Sequence, residues 1–253
     1  MQLYSGFPVL DRSGAQQYGE WLQRAQLSGG FVLVDKPKGW TSFDVVRFLR
    51  RLWGIRKIGH AGTLDPLATG LLILGVNAAT RHLSSLQALV KHYQTTIKLG
   101  AVTATDDAEA PEQPVGPVPD LTAAELEAVL ERFRGTIEQV PPAYSALKYR
   151  GQRFYELARR GQLPPASART VHIWQLELVE LRLPFVRLSV VCSAGTYIRA
   201  LARDIGAALG CGAYVYELRR TAIGDFRCEA AWTPQELEQL HQEHTTHARI
   251  LPT

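Results

Sequence analysis

The chain has 253 residues, with 28 Lys and Arg against 24 Asp and Glu and a formal net charge of +4 with its seven His neutral. That length suits one large domain or two modest ones, and 46% apolar with 21% charged residues excludes wholesale disorder. A pI near 9.0 permits a polyanionic partner, but +4 spread evenly would be too weak an attraction to argue for one.

Residues 1–29 read as a polar lead-in, an appendage ending in Ser28-Gly29-Gly30, without the basic start and apolar stretch of a secretory signal. Phe31-Val32-Leu33-Val34 predicts a short buried strand, followed by turn chemistry at Lys36-Pro37-Lys38-Gly39. Thr41 or Ser42 can cap a helix that carries Val45, Val46, Phe48, Leu49 and Leu52 on one side and ends at Gly54. Asp65-Pro66 stands ahead of Leu71-Leu72-Ile73-Leu74, where an aspartate cap and a first-turn proline would open a helix. Tyr93 to Leu99, Val171 to Leu181 and Val186 to Cys192 are β-branched, aromatic and alternating, and predict strands. Thr122 with Glu125 forms a capping box before Leu126, Val129, Leu130 and Phe133, and Thr233-Pro234-Gln235-Glu236 repeats the device. His241, His244 and His247 recur every third residue in a polar segment, which reads as a solvated tail rather than a metal site. Strands and helices interleave irregularly and no repeat is visible, so the expectation is an α+β fold on a mixed or antiparallel sheet.

Cys192, Cys211 and Cys228 are odd in number and widely separated, which predicts reduced thiols, a cytoplasmic location and no disulfide framework or zinc knuckle. No G-x-G-x-x-G and no G-x-x-x-x-G-K-[ST] occurs, so the expected chemistry uses side chains alone, with no cofactor and no metal. The longest apolar run near any motif, Leu71 to Leu74, falls far short of the roughly 18 residues of a membrane span. Charge, however, is clustered. Arg47, Arg50, Arg51, Arg56, Lys57 and His60 lie between Asp44 and Asp65 without an acid. Lys148, Arg150, Arg153, Arg159, Arg160 and Arg169 face Glu156 alone, and Arg199, Arg203, Arg219 and Arg220 form a third group. Residues 104–139 hold nine acids against Arg132 and Arg134. Each basic segment alone is a solvated face, but three of them interleaved with Tyr93, Tyr144, Tyr149, Phe154, Tyr155 and Tyr197 point to nucleic acid.

Gly59-His60-Ala61-Gly62-Thr63-Leu64-Asp65-Pro66-Leu67-Ala68-Thr69-Gly70 is the densest stretch. Spacing alone favours a capping role for Asp65 and leaves His60 a polar loop residue. The stretch closely resembles the catalytic motif of the bacterial tRNA pseudouridine-55 synthases, the TruB family. Four further stretches resemble that family in order: Val34 to Ser42, Lys91-His92-Tyr93 with Leu99-Gly100, Pro142 to Lys148, and Cys192 to Arg199 followed by Gly210 to Arg220. The resemblance covers residues 31 to 230 or so.

The resemblance implies a pseudouridine-synthase-like catalytic domain at 30–230, with a mixed, mostly antiparallel sheet flanked by helices and loops. The lead-in at 1–29 precedes it. A helical tail at 231–253 follows, where family members commonly carry a PUA-type domain and none is complete here. It implies Asp65 as the catalytic carboxylate on a flipped T-loop uridine, paired with Arg199, which would lower the carboxylate pKa by roughly 1–3 units. Tyr93 would stack on the base and is a candidate for taking the C5 proton. Tyr197 and Leu218 would line the uracil pocket, and His60 would fill the gap in the RNA stack. Lys36 and Pro37 would support the site from beneath, with Lys148, Arg219 and Arg220 as phosphate contacts. Where the family runs T-D-T-x-D, this chain has Thr103-Ala104-Thr105-Asp106-Asp107. The implied partner is tRNA through its T arm, with a monomer, no protein partner and no membrane. The alternatives are a non-catalytic tRNA-binding or folding module, and a hydrolase with Asp65 as nucleophile, which lacks a second acid near the motif.

Overall fold

The computed structural model describes residues 2–145, 148–149, 152–153, 157, 160–162 and 167–250, with the side chains of 148, 149, 153 and 247–250 outside that description. Its chain divides into two compact units, Met1–Lys91 with Arg219–Thr253, and His92–Leu218.

The first unit begins with β1 (Leu3–Tyr4), β2 (Phe7–Leu10), α1 (Tyr18–Leu27), β3 (Gly29–Lys36), α2 (Ser42–Trp53), β4 (Ile58–His60), β5 (Thr69–Asn77) and α3 (Leu83–Ala88). β3 and β5 pair antiparallel from Gly29↔Asn77 to Lys36↔Gly70. β2 runs parallel to β3, and β4 is antiparallel to β5. Both faces of this sheet are covered. Val32, Val34, Leu72 and Leu74 join one core with α1 and α2, while Phe31, Leu33, Leu71 and Ile73 join another with Leu86 of α3. Two buried faces explain why Phe31 to Val34 and Leu71 to Leu74 are continuous apolar runs instead of alternating ones. They also correct the helix expected after Asp65. Leu71 to Leu74 lie in β5, and no helix starts at Pro66.

α2 is bounded as expected. The Thr41 hydroxyl accepts the Asp44 N–H at 3.0 Å while the Asp44 carboxylate accepts the Thr41 N–H at 2.8 Å, a complete capping box. Gly54 closes the helix in the left-handed region at φ 67°. Residues 2–29 differ from the appendage expected of them. Trp21 and Tyr18 of α1 are fully buried, and the Trp21 indole donates to the Phe31 carbonyl at 3.1 Å. Glu20, Gln23 and Gln26, among the residues that made the segment look polar, occupy the outer face of α1.

The second unit contains β6 (Lys91–Leu99), β7 (Ala101–Val102), β8 (Gln113–Pro114), α4 (Ala123–Leu130), β9 (Gly135–Gln139), β10 (Lys148–Tyr149), β11 (Gln152–Arg153), β12 (Arg169–Arg182), β13 (Phe185–Cys192) and α5 (Ile198–Ala208). Its sheet has the order β14-β6-β13-β12-β9, where β14 (Ala213–Ile223) contributes residues 213–218. β12 pairs antiparallel with both β13 and β9. Val186, Leu188, Val190 and Cys192 point inward and alternate with outward residues, the period-two signal of a half-buried strand. A Cβ on Gly206 of α5 would lie 2.1 Å from the Ala213 nitrogen, so only glycine lets the helix touch the start of β14.

Residues 219–223 of β14 return to the first unit, pairing parallel with β5 at Arg219↔Thr69 and antiparallel with β15 (Phe226–Arg227). α6 (Pro234–Ile250) opens with the expected Thr233–Glu236 box. Leu237 of this helix is fully buried, and His241 Nδ1 bonds the Tyr18 hydroxyl at 2.8 Å, itself the acceptor of the Trp53 indole N–H at 2.8 Å. The tail is therefore docked along one side, more than a solvated histidine-rich helix. Strands in mostly antiparallel pairs with flanking helices and loops give the α+β class expected. No helix among the described residues is long and apolar enough to cross a membrane.

Trp21→Ala is expected to cost about 3–5 kcal/mol in urea unfolding, the price of a large core cavity. A loss under about 1 kcal/mol would return residues 2–29 to the status of an appendage.

Candidate active site

In the first unit, Asp65 lies in the loop between β4 and β5, half-buried, with its backbone neighbours pinned on both sides. Before it, the Ser42 hydroxyl accepts the Leu64 N–H at 2.8 Å and donates to the Leu64 carbonyl at 3.1 Å. After it, the Pro66 carbonyl accepts the Gly39 N–H at 2.8 Å and lies 3.4 Å from the Lys36 ammonium. Lys36, at the end of β3, is fully buried and donates also to the carbonyls of Pro37 at 3.0 Å and Trp40 at 2.6 Å. A buried ammonium is tolerated because its N–H groups meet carbonyl oxygens. The ammonium ties the turn after β3 to the Asp65 loop.

His60 ends β4. Burial, and then the charge of Arg220, lower its pKa below 6.5 and favour the neutral ring. Arg220 corrects an expectation. It is 2% exposed and donates from Nε to the Leu71 carbonyl at 2.8 Å and from Nη2 to the Gly62 carbonyl at 3.1 Å. A guanidinium spent on buried carbonyls does not reach a phosphate; this one struts both ends of the Asp65 loop. β14 and β5 approach so closely here that a Cβ on Gly70 would sit 2.2 Å from the Arg220 oxygen, at φ +104°. Arg219 grips Asp35 with two bonds of 3.0 and 2.6 Å, its side chain still 41% exposed. That pairing raises its pKa further, while burial pushes the neighbouring Cys228 thiol up to about 12.

In the second unit, Tyr93 on β6 and Leu218 on β14 lie on neighbouring strands, tied by the Thr95 hydroxyl donating to the Glu217 carbonyl at 2.8 Å. Tyr197 precedes α5, and the buried Gln139 side chain holds both its backbone groups, donating to its carbonyl at 3.0 Å and accepting its N–H at 2.8 Å. Arg199 is buried, with Nη1 on the Thr105 carbonyl at 2.8 Å, Nη2 on the Tyr144 carbonyl at 2.9 Å and the Asp107 carboxylate at 3.6 Å. One turn on, Arg203 bonds Asp106 at 3.1 Å and the Val140 carbonyl at 2.8 Å. Burial, opposed by Arg203 and Arg199, raises the Asp106 pKa. Of the third basic group, Arg199 and Arg220 are buried and bonded internally, while Arg203 and Arg219 stay partly exposed beside their acid partners.

Asp65, His60, Lys36, Pro37, Arg219 and Arg220 fall in the first unit, and Tyr93, Tyr197, Arg199, Leu218 and Lys148 in the second. The Lys148, Tyr149 and Arg153 side chains lie outside the described residues, as do Arg150, Phe154, Tyr155 and Arg159 altogether. Ser42, Asp107 and Gln139 escaped sequence reasoning; of these only Asp107, the retained acid of the Thr103–Asp107 stretch, carried a signal. Among the described residues no group of His, Cys, Asp and Glu is arranged to hold a metal ion.

The model of the TruB family pseudouridylate synthase N-terminal domain matches residues 50–198, and that of the tRNA pseudouridylate synthase B C-terminal domain matches residues 199–253. A tRNA pseudouridine synthase B from Mycobacterium sp. (strain KMS) is 47% identical over 212 residues, 82% of this chain and 71% of that protein. Its counterpart from Parabacteroides distasonis is 44% identical over 224 residues, 86% of this chain and 95% of that protein. Among solved structures, a chain of a Cbf5-Nop10-Gar1 complex is similar with TM-score 0.71 and 30% identity, covering 90% of this chain and 58% of that one. A chain of an H/ACA RNP bound to a substrate RNA containing 2′-deoxyuridine gives TM-score 0.66 and 28% identity, covering 86% of this chain and 55% of that one. This chain spans little more than half the length of those two solved chains.

Because the folded-state pKa of His60 lies below 6.5, its stabilising preference for the neutral ring is complete above pH 6.5 and is lost as pH falls below that value. His241, also lowered by burial, acts in the same sense. The urea midpoint is expected to fall on acidification from pH 7.5 toward 5.5, less steeply in His60→Gln, with the His60 ring protons titrating below pH 6.5 by NMR. Titration of that ring at or above 6.5 would contradict this.

Proposed function

The chain belongs to the TruB family of pseudouridylate synthases, and on that premise we propose that it converts the T-loop uridine at position 55 of tRNA to pseudouridine. The observation that carries the reading is the family match over residues 50–198, which takes in the loop where Asp65 stands between pinned neighbours. The reaction is an isomerisation. The C1′–N1 bond breaks, the base turns, C1′ joins C5, and the proton lost from C5 is balanced by one gained at N1.

Asp65 supplies the carboxylate beside the ribose, whether it attacks C1′, adds to C6 or takes a proton from C2′ to give a glycal. Arg199 provides the opposing charge, and its anchoring on Thr105, Tyr144 and Asp107 supports a fixed rather than a roaming guanidinium. Tyr93 stacks on the uracil and takes the C5 proton, while Tyr197 and Leu218 close the pocket. The target base must leave the RNA stack, at a cost of a few kcal/mol, and His60 fills the gap; a neutral ring suits insertion among bases. Lys148 contacts phosphate, and the exposed Arg47, Arg51, Arg56 and Lys57 on and after α2 offer a cationic face to the tRNA backbone. Residues 30–230 form the catalytic part, with the lead-in before it and the helical tail of 231–253 behind. We place the enzyme in the cytoplasm as a monomer with no protein partner, since docking on one tRNA arm needs no symmetry.

Tritium release from [5-³H]uridine-labelled tRNA tests the proposal. The wild-type chain releases tritium and yields pseudouridine at position 55, and Asp65→Ala lowers the rate by at least about a thousand-fold while still binding tRNA. Release surviving in Asp65→Ala, or free uracil as product, would sink it.

A further inference from the structure

We propose that Ser42 is a positioning residue for this reaction, fixing the place of the Asp65 carboxylate by clamping the backbone of Leu64. The proposal rests on the reading of Asp65 given above. Ser42 is the first residue of α2 and 2% exposed. A serine at a helix start ordinarily spends its hydroxyl on the helix's own N–H groups. Here Thr41 performs that task with Asp44, so the Ser42 hydroxyl is released for a partner 22 residues away. It serves Leu64 twice, as acceptor of the N–H at 2.8 Å and donor to the carbonyl at 3.1 Å.

The geometry gives this small contact leverage over catalysis. Leu64 is buried, so its backbone groups need partners inside the protein, and one hydroxyl supplies both. α2 is a rigid platform, because Val45, Val46, Leu49 and Trp53 anchor it in the core of the first unit. On the far side of Asp65, the Pro66 carbonyl is held by Gly39 and Lys36. Asp65 is thus suspended between two fixed peptide groups, one governed from α2 and one from the turn after β3. Removing the α2 fixing point frees the loop to shift, and a displacement near 1 Å in a reacting group costs on the order of a hundred-fold in rate.

Ser42→Ala keeps the size and the helix and deletes both bonds. The expected result is a fall in kcat of about 10- to 100-fold, with KM and tRNA affinity within about three-fold of wild type. Hydrogen exchange of the Leu64 amide accelerates, while the core amides of α2 keep their protection. Thr41→Ala is the companion variant: it breaks the helix cap and lowers the unfolding midpoint, but leaves the Leu64 clamp and kcat intact. A wild-type kcat in folded Ser42→Ala overturns the proposal. So does a loss of activity that merely follows lost stability, shared by Thr41→Ala. A wild-type chain without tritium release would overturn the functional reading and with it the role of Ser42 in the reaction, whereas unchanged Leu64 exchange in Ser42→Ala overturns the clamp alone.

Discussion

An ammonium group removed from water needs carbonyl oxygens to replace its lost hydration, and Lys36 finds them on Pro37, Trp40 and Pro66. These carbonyls belong to two backbone segments far apart in sequence, the turn leaving β3 and the loop carrying Asp65. One buried charge therefore fixes both segments at once. With the turn in place, Gly39 can donate to Pro66, and α2 starts where Ser42 reaches Leu64. The backbone on either side of Asp65 is thereby held from two directions.

Arginines are used in the same architectural spirit. Arg220 joins the carbonyls of Gly62 and Leu71 in the first unit, and Arg219 is matched to Asp35. In the second unit Arg199 and Arg203, one turn apart on α5, hold the 103–107 loop and the carbonyls of Tyr144 and Val140. A planar guanidinium with five donors can bridge several acceptors where a lysine would satisfy fewer directions. Composition alone counts all of these as positive charge, yet the four are largely committed within the protein. Two cations of α2 face outward: Arg47, paired with Asp44, and Arg51 stand beside Trp40 and Phe48 around a cavity of about 390 Å³.

Local signals survived the passage from sequence to structure. The helix cap at Thr41, the Thr122–Glu125 box, the glycine stop at Gly54 and the alternation of β13 each depend on a few neighbouring residues, and each formed as expected. Asp65-Pro66 misled because the same pair that opens helices also opens a tight loop, and only the strand pairing of Leu71 to Leu74 with β3 decides between them. The lead-in misled because two large aromatics, Tyr18 and Trp21, carry its burial against a polar background. The motif resemblance supplied Asp65, Tyr93 and Arg199 as candidates with Lys36 and Pro37 as supports, but not the other groups that hold their surroundings. Ser42, Gln139 and Asp107 meet their partners 22, 58 and 92 positions away, and such pairings have no periodicity to announce them.

The first unit is discontinuous: its sheet needs β3 and β5 from the front of the chain and residues 219–223 from near the end, with α6 docking on α1 last of all. Residues 92–218, by contrast, form one uninterrupted stretch. A ribosome releases the chain from its front end, so β3 and β5 emerge early but must wait for more than half of the protein before their partner strand appears. During that interval the edge of β5 that later receives Arg219 and Arg220 is unpaired, and Lys36 and the Asp65 loop are present without the strut that completes them. The Asp65 loop can therefore gain its Arg220 strut only after residue 220 has been made.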